Sequence, residues 1–292
     1  MEHTAALLTP QRLQRASGEV RLAFQRRDGA TVLRDLYQVG CCKVRFPRVE
    51  AGQDKQAVLL NTAGGLTDGD SVATAITWDA GTTATITSQA AERIYRSRQA
   101  PARIDTVLNA GPGATAFWLP QETIMFNHAR LHRTTTVTLD ATSRFLGLES
   151  LVFGRAAMGE TVQEGAIADR WRIQTAGRLV YADNFAVDGA IAEMLARPAI
   201  ANGAMALTTV LYAGADAASH LEPVRAVLGK LRGVSAGATC RGGVLIVRML
   251  ANVAARLRKA IIVLIGMMRL SLLHGEAKRG LKPGLMPRVW AC

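Results

Sequence analysis

Short segments in which Val, Ile and Thr alternate with small or polar residues recur from about Gly18 to Tyr181, and this pattern constrains the fold most. Period-two alternation with β-branched residues is typical of half-buried strands. Turn sequences separate the segments, for example Asp79-Ala80-Gly81 and Gly111-Pro112-Gly113. No exact repeat unit is visible. The pattern predicts a layered β body, either a sandwich, a barrel or a β-helix. The clearest segments are Val20–Phe24, Ser71–Trp78, Thr82–Thr87, Ile104–Leu108, Ala114–Leu119 and Thr134–Leu139.

Helical patterns come late in the chain. We predict a short helix over Ala190–Ala196, a second over Leu221–Leu231 that begins at a Ser219-x-x-Glu222 capping box, and a long one over Arg248–Leu273. No linker composition separates the two halves. We therefore expect a single domain over residues 1–292, mainly β, with a strand-rich body at about 18–187 and a helix-containing part at about 188–292.

Positive charge is concentrated at the C-terminal end. Of a net charge of +12, the segment Leu221–Cys292 carries thirteen Lys and Arg against two Asp and Glu. This asymmetry indicates either an acidic partner or a solvated basic helix face. The longest apolar run, Ala260–Met268, is too short to cross a bilayer. The N-terminal residues show no signal peptide, so we expect a cytoplasmic protein without a membrane contact.

Motifs for catalysis or fixed metal binding are weak. The stretch Gly111–Ala116 resembles a dinucleotide loop, but a strand pattern follows it where a helix is needed. The pair His128 and His132 has metal-ligand spacing only if it lies on a helix. The four cysteines include the adjacent Cys41 and Cys42 and form no C-x-x-C motif, which favours inert thiols. We found no arrangement specific enough to propose a catalytic site.

Four glutamates stand in apolar or Thr-rich segments, where burial of an unpaired carboxylate is costly. They are Glu92, Glu122, Glu149 and Glu160. Arg93, Arg96, Arg144 and Arg155 are close enough in sequence to pair with them structurally; binding of a metal ion is the alternative. The Gly-rich stretch Asn61–Asp70, with Asp68 and Asp70, is either a functional loop or a tight connection.

Six co-linear blocks together resemble the UreD (UreH) family of urease accessory proteins. The residues that carry the resemblance include Asn61, Gly64, Gly65 and Gly69, then Arg93 and Tyr95, then Gln121, then Gly154, Arg155 and Gly159, and finally Trp290. The blocks themselves are Asn61–Asp70, Gln89–Ser97, Leu119–Phe126, Phe153–Glu160, Asp169–Arg172 and Pro287–Trp290.

The resemblance implies a β-helix-like stack of strands with few helices and a non-enzymatic role in nickel insertion. Such a protein would bind apo-urease and UreF, and through UreF the GTPase UreG. Nickel(II) would pass transiently through an internal tunnel, with no tightly bound cofactor. Carboxylates suit such transfer, because they bind Ni²⁺ more weakly than imidazole or thiolate. The conduit candidates are Glu92, Glu122, Glu149 and Glu160, with Asp68 and Asp70 as second choices.

Arg256, Arg258 and Lys259 on the long predicted helix are candidates for docking on an acidic partner face. The alternative is a nucleic-acid-binding or other scaffold protein that uses this cationic helix. Few aromatic residues accompany the basic cluster, which argues against nucleic acid because single-strand binders need stacking platforms.

Overall fold

Two β-sheets stack face to face, and the chain alternates between them. The computed structural model describes residues 14–49, 53–155, 158–277 and 286–290. Five neighbouring strands run parallel to one another in sheet I, and four do so in sheet II. Successive strands thus build coils of a β-helix-like stack, as predicted.

Sheet I has seven strands among the described residues. They are β1 (Ser17–Arg27), β2 (Ala30–Gly40), β5 (Ser71–Trp78), β8 (Ala102–Ala110), β11 (Arg130–Leu139), β13 (Glu164–Thr175) and β14 (Arg178–Ala190). Their order is β14-β13-β11-β8-β5-β1-β2. Antiparallel hairpins close both edges of the sheet, β1 with β2 and β13 with β14.

Sheet II has ten strands, eight of them in the order β16-β17-β15-β12-β9-β6-β4-β3, while the short β10 pairs with β12 and β7. Its strands are β3 (Cys42–Arg45), β4 (Lys55–Asn61), β6 (Thr83–Ser88), β7 (Glu92–Ile94), β9 (Thr115–Leu119), β10 (Thr123–Met125), β12 (Arg144–Phe153), β15 (Ala206–Ala213), β16 (Ser235–Arg241) and β17 (Val244–Ala251).

Among the described residues, helices are few and follow β14: α1 (Ile191–Ala196), α2 (Leu221–Leu228) and α3 (Ala254–Ala277), with 3₁₀ turns at Ala217–His220 and Arg288–Trp290. The apolar face of α3, which includes Leu257, Ile261, Leu264 and Met268, packs on the outer face of sheet II. No helix among the described residues is long and apolar enough to span a membrane.

One predicted helix start and one predicted helix cap are wrong. The long helix begins at Ala254, and Arg248 lies in strand β17, where Val244, Ile246 and Val247 supply the β-branched residues of a central strand. The Ser219 hydroxyl does not cap α2; it donates to the carbonyl of Asp216 at 2.7 Å inside the 3₁₀ turn.

The border expected near residue 188, between the strand-rich body and the helix-containing part, falls within β14. Beyond it, β15, β16 and β17 extend sheet II.

The space between the sheets is divided into three layers. One apolar cluster lies at one end and contains Ile76, Leu108 and Val137. A second lies at the other end and contains Ala102, Leu131 and Ile167. Along β11 the inward positions run Leu131, Arg133, Thr135, Val137, so a polar layer separates the two clusters. The candidate site lies in this layer.

Candidate functional site

Two cavities enter the polar layer and meet at one carboxylate. The first, of about 220 Å³, contains Glu92 in its wall and is called the Glu92 cavity. The second, of about 370 Å³, contains Asp183 and is called the Asp183 cavity. Exposed residues line each of them, Gln89 in the first and Asn184 in the second. Glu149 lines both. The cavities therefore lead from two parts of the surface to the same buried group.

Glu92 is the carboxylate of the first cavity. The Asn61 side-chain amide donates to its two oxygens at 3.1 and 3.2 Å, which ties β7 to the end of β4. Burial raises the pKa of Glu92, and the Asn61 hydrogen bond opposes this shift. Cys42, which also lines this cavity, has a pKa raised to about 12 by burial. This favours the neutral thiol.

A buried ion triad of Arg133, Glu149 and Asp169 separates the cavities; we call it the Arg133 triad. Arg133 Nη1 donates to Glu149 Oε1 at 2.5 Å and to Thr123 Oγ1 at 2.9 Å. Its Nε and Nη2 donate to the two oxygens of Asp169 at 3.1 and 2.6 Å. Arg133 lines the Glu92 cavity and Asp169 lines the Asp183 cavity. The triad is thus the wall between the two spaces.

Strand register brings the triad together. Arg133 on β11 and Asp169 on β13 are direct partners in the parallel ladder of sheet I. Glu149 comes from β12 in sheet II, and its side chain extends across the space between the sheets to Arg133. Burial raises the pKa of Glu149 to about 8; Arg133 opposes the shift, and the charge of Asp169 adds to it. The triad holds two carboxyl groups for a single guanidinium.

The Asp183 cavity contains a more exposed ion pair. Arg248 Nη2 donates to Asp183 Oδ2 at 2.6 Å, and the Tyr181 hydroxyl donates to the same oxygen at 3.2 Å. Thr208 lines this cavity too, and its hydroxyl donates to the backbone carbonyl of Glu149 at 2.8 Å. This bond fixes the backbone of β12 at the point where the two cavities meet.

The other predicted conduit acids hold the structure together. Glu122 receives two bonds from Arg258 Nη1 at 3.0 and 2.9 Å. The same nitrogen donates to Gln121 Oε1 at 2.5 Å, and Arg258 Nη2 donates to the Trp290 carbonyl at 3.2 Å. These four residues form a clamp between α3, the segment before β10 and the C-terminal 3₁₀ turn. Glu122 does not line either cavity.

Glu160 closes the loop after β12. Arg155 Nε donates to Glu160 Oε2 at 2.7 Å, and its guanidinium stacks on Phe126 at 4.3 Å from the ring centroid. Gly154 in this loop has φ +81°, and a Cβ there would lie 2.6 Å from the Glu160 carbonyl oxygen, so the position needs glycine. Gly159 also has positive φ.

Asp68 and Asp70 organise the Gly-rich connection instead of facing a cavity. Asp68 accepts hydrogen bonds from the backbone N–H groups of Gln99 and Ala100. The bond from Ala100 is the main reason that the pKa of Asp68 is lowered. Asp70 accepts from the N–H groups of Ala16 and Thr67, both at 2.8 Å. The glycines Gly64, Gly65 and Gly69 have positive φ. Tyr95 and the Arg93 backbone lie where a Gly65 side chain would have to be.

The basic residues of α3 separate in space. Arg256 and Lys259 are exposed, whereas Arg258 turns inward to the clamp with Glu122.

The two histidines with metal-ligand spacing do not lie on a helix. His128 lies in the turn before β11 and pairs with Glu164 at 3.6 Å, while His132 is on the exposed face of β11. Within residues 14–49, 53–155, 158–277 and 286–290, no three His, Cys, Asp or Glu are grouped so that they could hold a metal ion. Cys292 lies outside the described residues.

Sequence reasoning missed Arg133, Asp169 and Asp183 as site residues. A signal for the first two was present. Arg133 occupies an inward position of β11, and Asp169 has the same position in the alternation Ile167, Asp169, Trp171, Ile173 of β13. A charge at a core position of a strand needs a partner. Their pairing required the strand register, which the sequence alone does not give.

Comparison with known proteins matches nearly the whole chain to one family. The family model described as UreD urease accessory protein matches residues 16–291. The urease accessory protein UreD of Methylobacterium sp. (strain 4-46) is 44% identical over 284 residues, 96% of each chain. The protein of the same name from Rhizobium etli is 42% identical over 261 residues, which cover 89% of this chain and 94% of that protein.

Proposed function

We propose, on the premise that the chain belongs to the UreD family of urease accessory proteins, that it conducts nickel(II) to urease through its two cavities. A part in urease maturation follows from the family. The relatives are named accessory proteins, and we expect no catalysis by this chain. The finer proposal is a conduit that binds apo-urease on one side and a nickel source on the other.

The observation that carries the proposal is that two cavities reach the surface and share one buried carboxylate. Glu92 lies in the first cavity, Glu149 at the junction, and Asp169 and Asp183 in the second. Carboxylate oxygens hold Ni²⁺ less tightly than imidazole or thiolate ligands do. A series of weak sites allows an ion both to enter and to leave.

The structure narrows the candidate ligands. Four of the predicted acids line neither cavity and are therefore dropped: Glu122, Glu160, Asp68 and Asp70. Glu92 and Glu149 are retained from the predicted set. Asp169 and Asp183 are added because they line the second cavity. Nickel is the transient cargo in this proposal, and the protein needs no resident cofactor.

The proposed partners are apo-urease, UreF and, through UreF, UreG. Arg256 and Lys259 are exposed on α3 and give this part of the surface a positive charge that suits an acidic partner. Arg258 is excluded from this role, because its guanidinium is engaged inside the protein.

The test is nickel loading of urease in cells that co-express this chain with the urease subunits and the other accessory proteins. We expect Glu149→Gln and Glu92→Gln to lower the nickel content of purified urease several-fold while the complex still co-purifies. Glu222→Gln is the matched control, because Glu222 is exposed on α2 and lies outside both cavities. Full nickel loading in both cavity variants would contradict the proposal.

A further inference from the structure

We propose that Arg133 is a cationic gate: its guanidinium fills the place between Glu149 and Asp169 that a divalent cation must occupy to pass from one cavity to the other. This inference rests on the proposed function, because it takes a metal cation as the cargo. It goes further in that it assigns a closed resting state to the passage and names the side chain that closes it.

The position of Arg133 supports a gate. The side chain is 3% exposed, and it contacts a carboxylate from each sheet. It lines the Glu92 cavity, Asp169 lines the Asp183 cavity, and Glu149 lines both. An ion that moves between the cavities therefore passes Glu149, whose Oε1 atom already accepts a hydrogen bond from Arg133. The guanidinium repels any cation that approaches while it stays there.

The charge balance explains how the gate can open. A single guanidinium faces two carboxyl groups, which is one more than its charge can balance. A divalent ion in place of the guanidinium would neutralise both carboxylates, whereas a monovalent ion would add no charge over arginine and would lose its fixed set of N–H donors. The exchange thus favours a divalent cation.

There is space for the displaced side chain. Arg133 borders the Glu92 cavity, whose volume of about 220 Å³ adjoins the guanidinium. Thr123, which accepts from Arg133 Nη1 at 2.9 Å, lines the same cavity. Rotation of the arginine towards this cavity would free both carboxylates and keep the guanidinium near polar groups.

The test is equilibrium dialysis of the purified full-length chain against Ni²⁺ alone, with bound metal measured by mass spectrometry. We expect R133Q to bind an additional Ni²⁺ per chain and to tighten binding by about tenfold or more, the scale on which groups beside a metal ligand alter its affinity. Adding E149Q and D169N to R133Q should abolish the gain. R225Q is the control, because Arg225 is an exposed arginine that pairs with Glu222 on α2.

A folded R133Q protein that binds no more Ni²⁺ than wild type would overturn the gate, as would equal binding by the triple variant. If R133Q does not fold, R133K replaces it. The shorter lysine side chain can contact only one of the two carboxylates, so R133K should still bind Ni²⁺ more tightly than wild type does. Unchanged binding would overturn the gate. The urease nickel assay separates the two proposals. Normal loading by wild type with no gain in R133Q rejects the gate alone; a gain without any effect of the chain on urease rejects the conduit alone.

Discussion

Two fully buried arginines in this protein have opposite surroundings. Arg269 on α3 donates to Asp54 Oδ1 at 2.8 Å and to Thr85 Oγ1 at 2.6 Å, and its guanidinium lies 4.5 Å from the centroid of the Phe117 ring. It borders neither cavity. Arg133 instead faces two carboxyl groups at the junction of two cavities.

The difference shows what a buried charge is used for at each place. The Arg269 pair balances one charge with one charge in packed surroundings, and it attaches α3 to sheet II. The Arg133 triad leaves one carboxyl group in excess and lies beside open space. A buried ion pair of the first kind is a fixed structural link, whereas the second kind can exchange its cation. Substitutions at the two arginines and at their partners should therefore have different effects.

Replacement of Arg269 by Met should destabilise the protein most. Asp54 is 1% exposed, and loss of the Arg269 guanidinium, its ion-pair partner at 2.8 Å, would leave a buried carboxylate uncompensated. Such changes cost about 3–5 kcal/mol in the free energy of unfolding. The measurement is urea unfolding followed by tryptophan fluorescence. The double variant R269M/D54N should recover part of the loss, because it removes the unpaired charge; a single variant as stable as wild type would contradict the structural role.

Glu149→Gln should change stability far less and in a pH-dependent way. The pKa of Glu149 is raised to about 8 by burial, so the folded state holds a proton that the unfolded chain releases near its ordinary value of about 4.3. The stability of wild type therefore falls as the pH rises from about 4.3 to about 8. The E149Q variant has no such proton to lose, so its stability does not fall for this reason.

The measurable outcome is a difference between two unfolding curves. Relative to wild type, E149Q should gain stability between a buffer near pH 5 and one above pH 8, while its nickel delivery remains impaired. E222Q, which changes an exposed acid, should show no such divergence. A constant difference between E149Q and wild type across this range would mean that Glu149 is ionised throughout and that the triad resembles the Arg269 pair more than we argue.

The sequence predicted the strands of the stacked body well, because alternation survives wherever one face of a strand is buried. Ser71–Trp78 was predicted with its observed bounds, and Thr134–Leu139 lies within β11. It failed at β17, where Leu250 and Val247 also fit a helical period. Apolar segments buried on both faces carry little periodicity with which to distinguish strand from helix.

The candidate site was predictable only in part. Glu92 and Glu149 could be selected as costly acids in apolar segments, but the same rule selected Glu122 and Glu160, which arginines bind. The rule detects that a carboxylate needs a partner, and it cannot tell an arginine from a cargo ion. That distinction depends on cavities and on the register between β11 and β13, which are properties of the folded chain.

The smallest effect on stability is expected at the surface of α3. Arg256 and Lys259 are exposed, so the double charge reversal R256E/K259E should change the free energy of unfolding by no more than about 0.5 kcal/mol. It should nevertheless weaken capture of the maturation partners in a pull-down, and more so at low salt, because exposed charges act through a screened field. R258Q is the contrasting variant: it breaks the clamp to Glu122 and Trp290 and should lower stability with little salt dependence. Equal capture by R256E/K259E and wild type at low salt would leave α3 as a solvated basic helix, and the arginines that matter in this protein would then be the buried ones.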